Sequence, residues 1–211
     1  MPGDIKRQII ESGKLLYRRG MINALEGNVS MRVGDVVYIT PSRRCKELLT
    51  EDDILGVDMD GRVVEGTGMP SSEVKMHLAA YRLRPDIGGC IHCHSPFATA
   101  FAINNQPIVT DAYPEMIVLF GQVPVVPYGT PSTDAIHAGL GLYLHEYDAV
   151  LMGNHGVTTV GTDAYDAFLR AEAVESIAKT LYLARTMGRE HSLDAENLAV
   201  LRAMRRAARG Q

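Results

Sequence analysis

Residues 86–96 read DIGGCIHCHSP, and four chemistries share that pattern: a C-x-x-C redox pair, a C-x-x-C-H haem attachment, a Cys/His zinc knuckle and an H-x-H metal clamp. The local backbone decides among them. Gly88 and Gly89 precede the run and Pro96 follows it, which leaves too little room for a helix and predicts a strand. Side chains of a strand alternate, so Cys90, His92 and His94 point one way and Ile91, Cys93 and Ser95 the other. The two cysteines are thereby separated. The two imidazoles share a face, about 6–7 Å apart at the backbone, a span that both rings can close around one zinc ion at about 2.0–2.1 Å per nitrogen.

Two ligands rarely suffice, so a third must come from elsewhere. His77, His137 and His145 fall in predicted helices and His191 in a polar stretch, where surface or hydrogen-bonded roles suit them. His155 differs: LMGNHGV (151–157) sets it at the end of an apolar run, in a glycine-flanked turn that can hold a ligand rigidly. His92, His94 and His155 are therefore the expected metal set. Three imidazoles and an open fourth position suit a catalytic zinc site better than a closed structural one.

Outward from this strand, helices and strands interleave. Residues 4–19 carry Ile5, Ile9 and Leu16 at helical spacing. VSMRVGDVVYITP (29–41) and ILGVDMDGRVVEG (54–66) each read as a hairpin, the second around the turn pair Asp60-Gly61. PSSEVKMHLAAYRLRP (70–85) predicts a helix with Glu73 in its first turn, followed after the central strand by a short helix in FATAFAIN (97–104). VPVVPY (123–128) and DAVLMGN (148–154) read as strands, with a helix in 132–146 between them capped by Ser132 or Thr133. A long helix over 163–187 carries an apolar stripe of Phe168, Ala171, Val174, Ala178 and Leu181. One α/β or α+β layer structure spanning 1–211, with no repeat or linker, is the expected organisation.

Charge narrows the function. Lys plus Arg number 21 against 25 Asp plus Glu, so no positive field draws nucleic acid or an anionic membrane. Arg202, Arg205, Arg206 and Arg209 follow Asp194 and Glu196 along one helix, acidic end first, as the helix dipole prefers. Three cysteines make no disulfide framework, and no basic-then-apolar leader is present, so the cytoplasm is the expected location. The serine pair beside Glu73 would lie near free N–H groups at a helix start. With the small polar loops GNVS (27–30) and TPS (40–42), this suggests a phosphorylated, oxygen-rich substrate.

EGNVSMR (26–32), ITPS (39–42), MPSSEVKMHLAAYRLRPDIGGCIHCHSPFATA (69–100) and LMGNHGVTTVG (151–161), in that order, resemble the class II aldolase/adducin family. The resemblance implies a central, largely antiparallel sheet sandwiched between helix layers, assembled as a C4 homotetramer with active sites at subunit interfaces. It further implies a zinc lyase that cleaves a ketose 1-phosphate into dihydroxyacetone phosphate and an aldehyde through a metal-stabilised enediolate. Zinc would be held by His92, His94 and His155, with Glu73 as the acid/base that also binds the metal when substrate is absent. Gly27, Asn28, Ser42, Arg43, Ser71 and Ser72 fall on its phosphate loops and Tyr113 on a tyrosine that handles the aldehyde half. Arg43 stands where a close relative has glycine, and the tail LRAMRRAARGQ (201–211) lacks the tyrosine found in the aldolase. Sister activities with a similar metal site are a phosphotetronate decarboxylase and a methylthioribulose-phosphate dehydratase. Ribulose-phosphate 4-epimerases carry Asp at the position of Glu73, and scaffold members like the adducin head lack the ligands.

Overall fold

The computed structural model describes residues 2–130, 133 and 135–210. Its frame is one eight-stranded sheet. The strands are β1 (Asn28–Val33), β2 (Val36–Ile39), β3 (Leu55–Asp58), β4 (Val63–Glu65), β5 (Gly89–Cys93), β6 (Val125–Val126), β7 (Ala149–Met152) and β8 (Gly156–Gly161). Their order across the sheet is β4-β3-β2-β1-β5-β8-β7-β6, antiparallel throughout except for the parallel pair β6/β7. The stretch read first lies in the middle as β5, flanked by β1 and β8.

Helices cover both faces. On one side α1 (Pro2–Arg18), α3 (Pro96–Ile103) and α6 (Ala164–Met187) bury Ile9, Leu16, Phe101, Phe168, Ala171, Val174, Ala178 and Leu181 against Val29, Ile91 and Cys93. The stripe of α6 is therefore core. On the other side α2 (Val74–Leu83) and the segment around α5 (Ala135–Ala138) bury Met76, Leu78, Tyr81, Ile136 and Leu140 against Val37, Cys90, Val150 and Val160. Cys90 and Cys93 thus lie in different cores, as strand alternation requires. The remaining helices, α4 (Pro114–Leu119) and α7 (Ala195–Ala208), pack on each other, and Asp194 caps α7 by accepting from Asn197 N.

Gly88 and Gly89 do more than exclude a helix. A Cβ on either would come within 2.2 Å of Thr162 O or 2.1 Å of Asp163 O, so the pair lets the β8–α6 connection cross directly over the start of β5. Four expectations change. Helix α2 begins at Val74, and Glu73 is the residue just before it, with φ −102° and ψ 15°. The expected strand in VPVVPY shortens to Val125–Val126. Within 135–146 the expected helix is broken into α5 and a 3-10 turn at Leu140–Leu142; Gly139 lies between them, where a Cβ would come within 3.1 Å of Val126 Cβ and Pro127 Cδ. The Asp60-Gly61 hairpin has a four-residue loop with a register shift at Gly56/Val57. Ser132 lies outside the described residues, while Thr133 Oγ1 accepts from Ala135 N at 3.3 Å. Strand β8, unread in the sequence, completes the centre of the sheet. Among the described residues no helix is long and apolar enough to cross a membrane.

Candidate functional site

Three histidines, from β5 and its end and from the β7–β8 turn, meet at one end of the sheet. His92 is in β5, His94 follows that strand, and His155 occupies the turn between β7 and β8. One ligand atom from each falls within 4.8 Å of the others. The turn is tightly built: Asn154 has φ +57°, its N–H reaches Ala102 O at the end of α3, and its side-chain amide reaches Ile103 O at 3.3 Å. Gly156 completes it, since a Cβ there would come within 2.6 Å of Cys93 O and 2.7 Å of His94 Cδ2.

The ring orientations suit a cation. Thr158 Oγ1 meets Met76 Sδ at 3.3 Å and His92 Nδ1 at 3.1 Å. With the hydroxyl donating to sulfur, Nδ1–H donates to the hydroxyl oxygen, and the lone pair of His92 lies on Nε2. That atom faces His94 Nε2 at 3.1 Å. Glu73 closes the group, with Oε1 3.2 Å from His155 Nε2 and Oε2 3.6 Å from His92 Nε2. Asn28 donates to Glu73 Oε2 at 2.8 Å. Glu73 Oε1 and His155 Nδ1 are both buried without a hydrogen-bond partner among the described residues. A buried carboxylate oxygen facing imidazole nitrogens instead of donors is satisfied by a metal ion, and the three-His donor set accepts zinc and its neighbours in the transition series. Burial holds the His92 and His155 rings below the ordinary imidazole range, and so in the neutral form that ligates.

Beside these groups lies a polar cavity. Gly27, Asn28, Ser42, Arg43, Ser71, Ser72 and Glu73 all line it together with His94 and His155. Its two loops clasp each other: Ser71 N donates to Thr40 O and Ser42 N to Met69 O. Gly27 has φ +71°, and a Cβ would strike Ile22 Cγ2 at 2.6 Å. Arg43 holds φ +54°, a left-handed conformation that glycine adopts freely, and it is exposed with no ion pair among the described residues.

Two charged lining residues escaped the sequence reading, Lys46 and Glu26. Lys46 is 2% exposed, and among the described residues its ammonium makes one hydrogen bond, to Arg44 O at 2.9 Å. Burial pushes it down from the ordinary lysine value, with Cys45 and Glu73 opposing. Glu26 Oε1 lies 3.5 Å from His94 Nδ1 and orients that ring. Neither was legible, because a charged residue in a polar run looks like a solvated loop. Tyr113 lies elsewhere: it precedes α4 and lines a separate cavity with Arg189, Glu190 and His191. Within one chain it does not join the histidines.

The sequence profile of the family described as Class II Aldolase and Adducin N-terminal domain matches residues 7–182. An L-fuculose phosphate aldolase of Methanocaldococcus jannaschii is 34% identical over 178 residues, 84% of this chain and 96% of that protein. One from Escherichia coli K12 is 36% identical over 181 residues, 85% of this chain and 82% of its own length. Among solved structures, an L-fuculose 1-phosphate aldolase superposes with a TM-score of 0.87 at 32% identity, covering 95% of each chain. A Klebsiella pneumoniae protein described as a candidate aldolase/epimerase/decarboxylase superposes with a TM-score of 0.86 at 26% identity, covering 96% of this chain and 99% of that one.

Proposed function

The chain belongs to the class II aldolase and adducin family, and from that premise we propose that it is a zinc-dependent lyase cleaving a ketose 1-phosphate, such as L-fuculose 1-phosphate, into dihydroxyacetone phosphate and an aldehyde. The observation that carries this reading is the juxtaposition of the His92–His94–His155 group and Glu73 with a cavity lined by hydroxyls, Lys46 and Arg43. One end of such a cavity suits a phosphate and the other a chelating ketose.

Zinc would be held by the three imidazoles, with Glu73 as a further ligand when substrate is absent. Bound there, it supplies the Lewis acidity that draws off charge as the C3–C4 bond breaks. The chain does the rest. Ser71, Ser72, Ser42 and the N–H groups around Gly27 receive phosphate oxygens, and Lys46 and Arg43 offset their charge. Glu73, steadied by Asn28, takes or gives the proton at the carbon released by cleavage. A second copy in a homotetramer would bring Tyr113 to the aldehyde half, which accounts for its distance from the histidines of its own chain. The whole of 1–211 acts as one such domain, in the cytoplasm.

The test is a purified, zinc-loaded protein offered a panel of ketose 1-phosphates. Release of dihydroxyacetone phosphate from at least one supports the proposal. No release from any, with carbon dioxide or water lost from another sugar phosphate, transfers the same site to a decarboxylase or dehydratase, a reading the Klebsiella likeness makes the nearest competitor.

A further inference from the structure

Glu73, His77 and Tyr81 stand at i, i+4 and i+8, on one face of α2 and its leading residue. Asn28 and Ser30 stand at i and i+2 on β1, facing them. The two repeats nearly match, because four helical residues rise about 6 Å and two strand residues about 6.7 Å. The side chains consequently interleave. Tyr81 Oη lies 2.9 Å from Ser30 Oγ, Ser30 Oγ lies 2.6 Å from His77 Nδ1, His77 Nε2 meets Asn28 Oδ1, and Asn28 Nδ2 donates to Glu73 Oε2 at 2.8 Å. All five residues are buried, and Ser30, His77 and Tyr81 have no solvent exposure.

The direction of every bond is fixed from the carboxylate end. An ionised carboxylate only accepts, so Asn28 turns its NH2 to Glu73 and its oxygen to His77. That oxygen needs a donor, which places the His77 proton on Nε2. Nδ1 then accepts from the Ser30 hydroxyl, and the Ser30 oxygen accepts from Tyr81. We propose that Tyr81, Ser30 and His77 form a buried one-way hydrogen-bond chain that locks the Asn28 amide with its NH2 toward Glu73, making all three positioning residues for the metal-facing carboxylate.

A free Asn amide can flip and present its oxygen to Glu73, repelling it. Here the flip is blocked, since it would set an NH2 against His77 Nε2–H. Among the described residues none of the three side chains hydrogen-bonds to His92, His94 or His155; they act through Asn28. The inference rests on Glu73 serving the metal site of the proposed function, so its test reads proton position and metal affinity separately from turnover.

In 15N-labelled protein, the histidine long-range spectrum is expected to show His77 with a protonated Nε2 and a bare Nδ1 at neutral pH, with and without zinc. An Nδ1–H tautomer or an imidazolium would overturn the chain. Zinc affinity is then measured by competition with a chromophoric chelator. His77→Gln, which keeps a donor at the Nε2 position, is expected to stay within about threefold of the wild type, and His77→Met to lose about 10- to 100-fold. A folded His77→Met with wild-type affinity, or a His77→Gln as weak as His77→Met, would overturn the positioning role. Should His77→Met fail to fold, Ser30→Ala takes its place, with a loss of about tenfold expected and unchanged affinity counting against the proposal. A wild type that binds no zinc sinks the metal reading of the site, and the His77 tautomer still decides the chain.

Discussion

His92 Nε2 and His94 Nε2 lie 3.1 Å apart, and the other nitrogen of each ring is directed outward, to Thr158 for His92 and to Glu26 for His94. Two imidazole nitrogens brought this close need something positive between them. A single shared proton supplies it in the metal-free protein, and one metal ion supplies it better, because tetrahedral ligands at about 2.0–2.1 Å from zinc are themselves about 3.4 Å apart. The geometry predicts metal retention and names who is responsible for it.

Wild-type protein should keep one zinc per chain after dialysis against a weak chelator, and His94→Ala should keep only background. Elemental analysis by mass spectrometry reads this directly. Stoichiometric zinc in folded His94→Ala would show that the ion sits elsewhere or that Glu73 and two imidazoles suffice.

Glu73 separates binding from chemistry. Its carboxylate lies beside the nitrogens of His92 and His155 and is able to move a proton, yet the three histidines can hold the ion without it, at lower affinity. Glu73→Gln should therefore retain zinc and lose about 10²–10⁴-fold in kcat. Steady-state kinetics with parallel zinc analysis gives the answer, and a variant retaining most of its turnover would remove Glu73 from the acid/base role.

How far the sequence revealed this site depends on which kind of order each residue obeys. Strand alternation is local and strict, so two glycines and a proline were enough to put His92 and His94 on one face and split Cys90 from Cys93. His155 was legible because glycines bracket it, although the reason for Gly156, its contact with Cys93 O and His94, appears only in three dimensions. Lys46 and Glu26 carried no periodic signal: Lys46 is buried where its stem lies against Gly13 of α1, and Glu26 is half-exposed beside His94, both relationships that exist only in three dimensions. The segment 132–146 misled in the opposite sense: its apolar spacing is helical, but among the described residues it forms only the short α5 and a 3-10 turn, with Gly139 between them at a place where a side chain would crowd Val126 and Pro127. His77 could have been found from its i+4 spacing to Glu73, had β1 been laid beside α2 in advance.

Lys46 should bind charge at a cost in stability. An ammonium buried with one neutral acceptor is poorly satisfied until an anion enters the cavity. Lys46→Met is expected to raise KM for a phosphorylated substrate by about 10- to 100-fold, the worth of one charge-assisted hydrogen bond, with kcat little changed. The same variant should melt no lower than wild type in the absence of ligand, and added inorganic phosphate should raise the melting temperature of wild type more than that of Lys46→Met. An unchanged KM would place the ammonium outside the anion site.

His77 makes stability depend on pH in a predictable direction. Burial lowers its pKa from 6.5 to about 4, so folding favours the neutral ring, while the unfolded chain protonates it near the ordinary value. The stabilisation is complete above the unfolded pKa of about 6.5 and is lost progressively as the pH falls from there toward the folded value of about 4. Between about pH 7 and about pH 5 the loss from this one residue is roughly 2 kcal/mol. His77→Gln carries no titrating ring, so the difference between the two proteins reads His77 together with its coupling to Glu73 and His92. Urea unfolding of the chelator-treated proteins at the two pH values should therefore show wild type losing more stability than His77→Gln, by about 2 kcal/mol. Equal losses would mean that folding does not lower the His77 pKa; a ring protonated in the folded chain would still donate Nε2–H to Asn28 Oδ1, but its Nδ1 would donate to Ser30 instead of accepting, and the chain would be broken there.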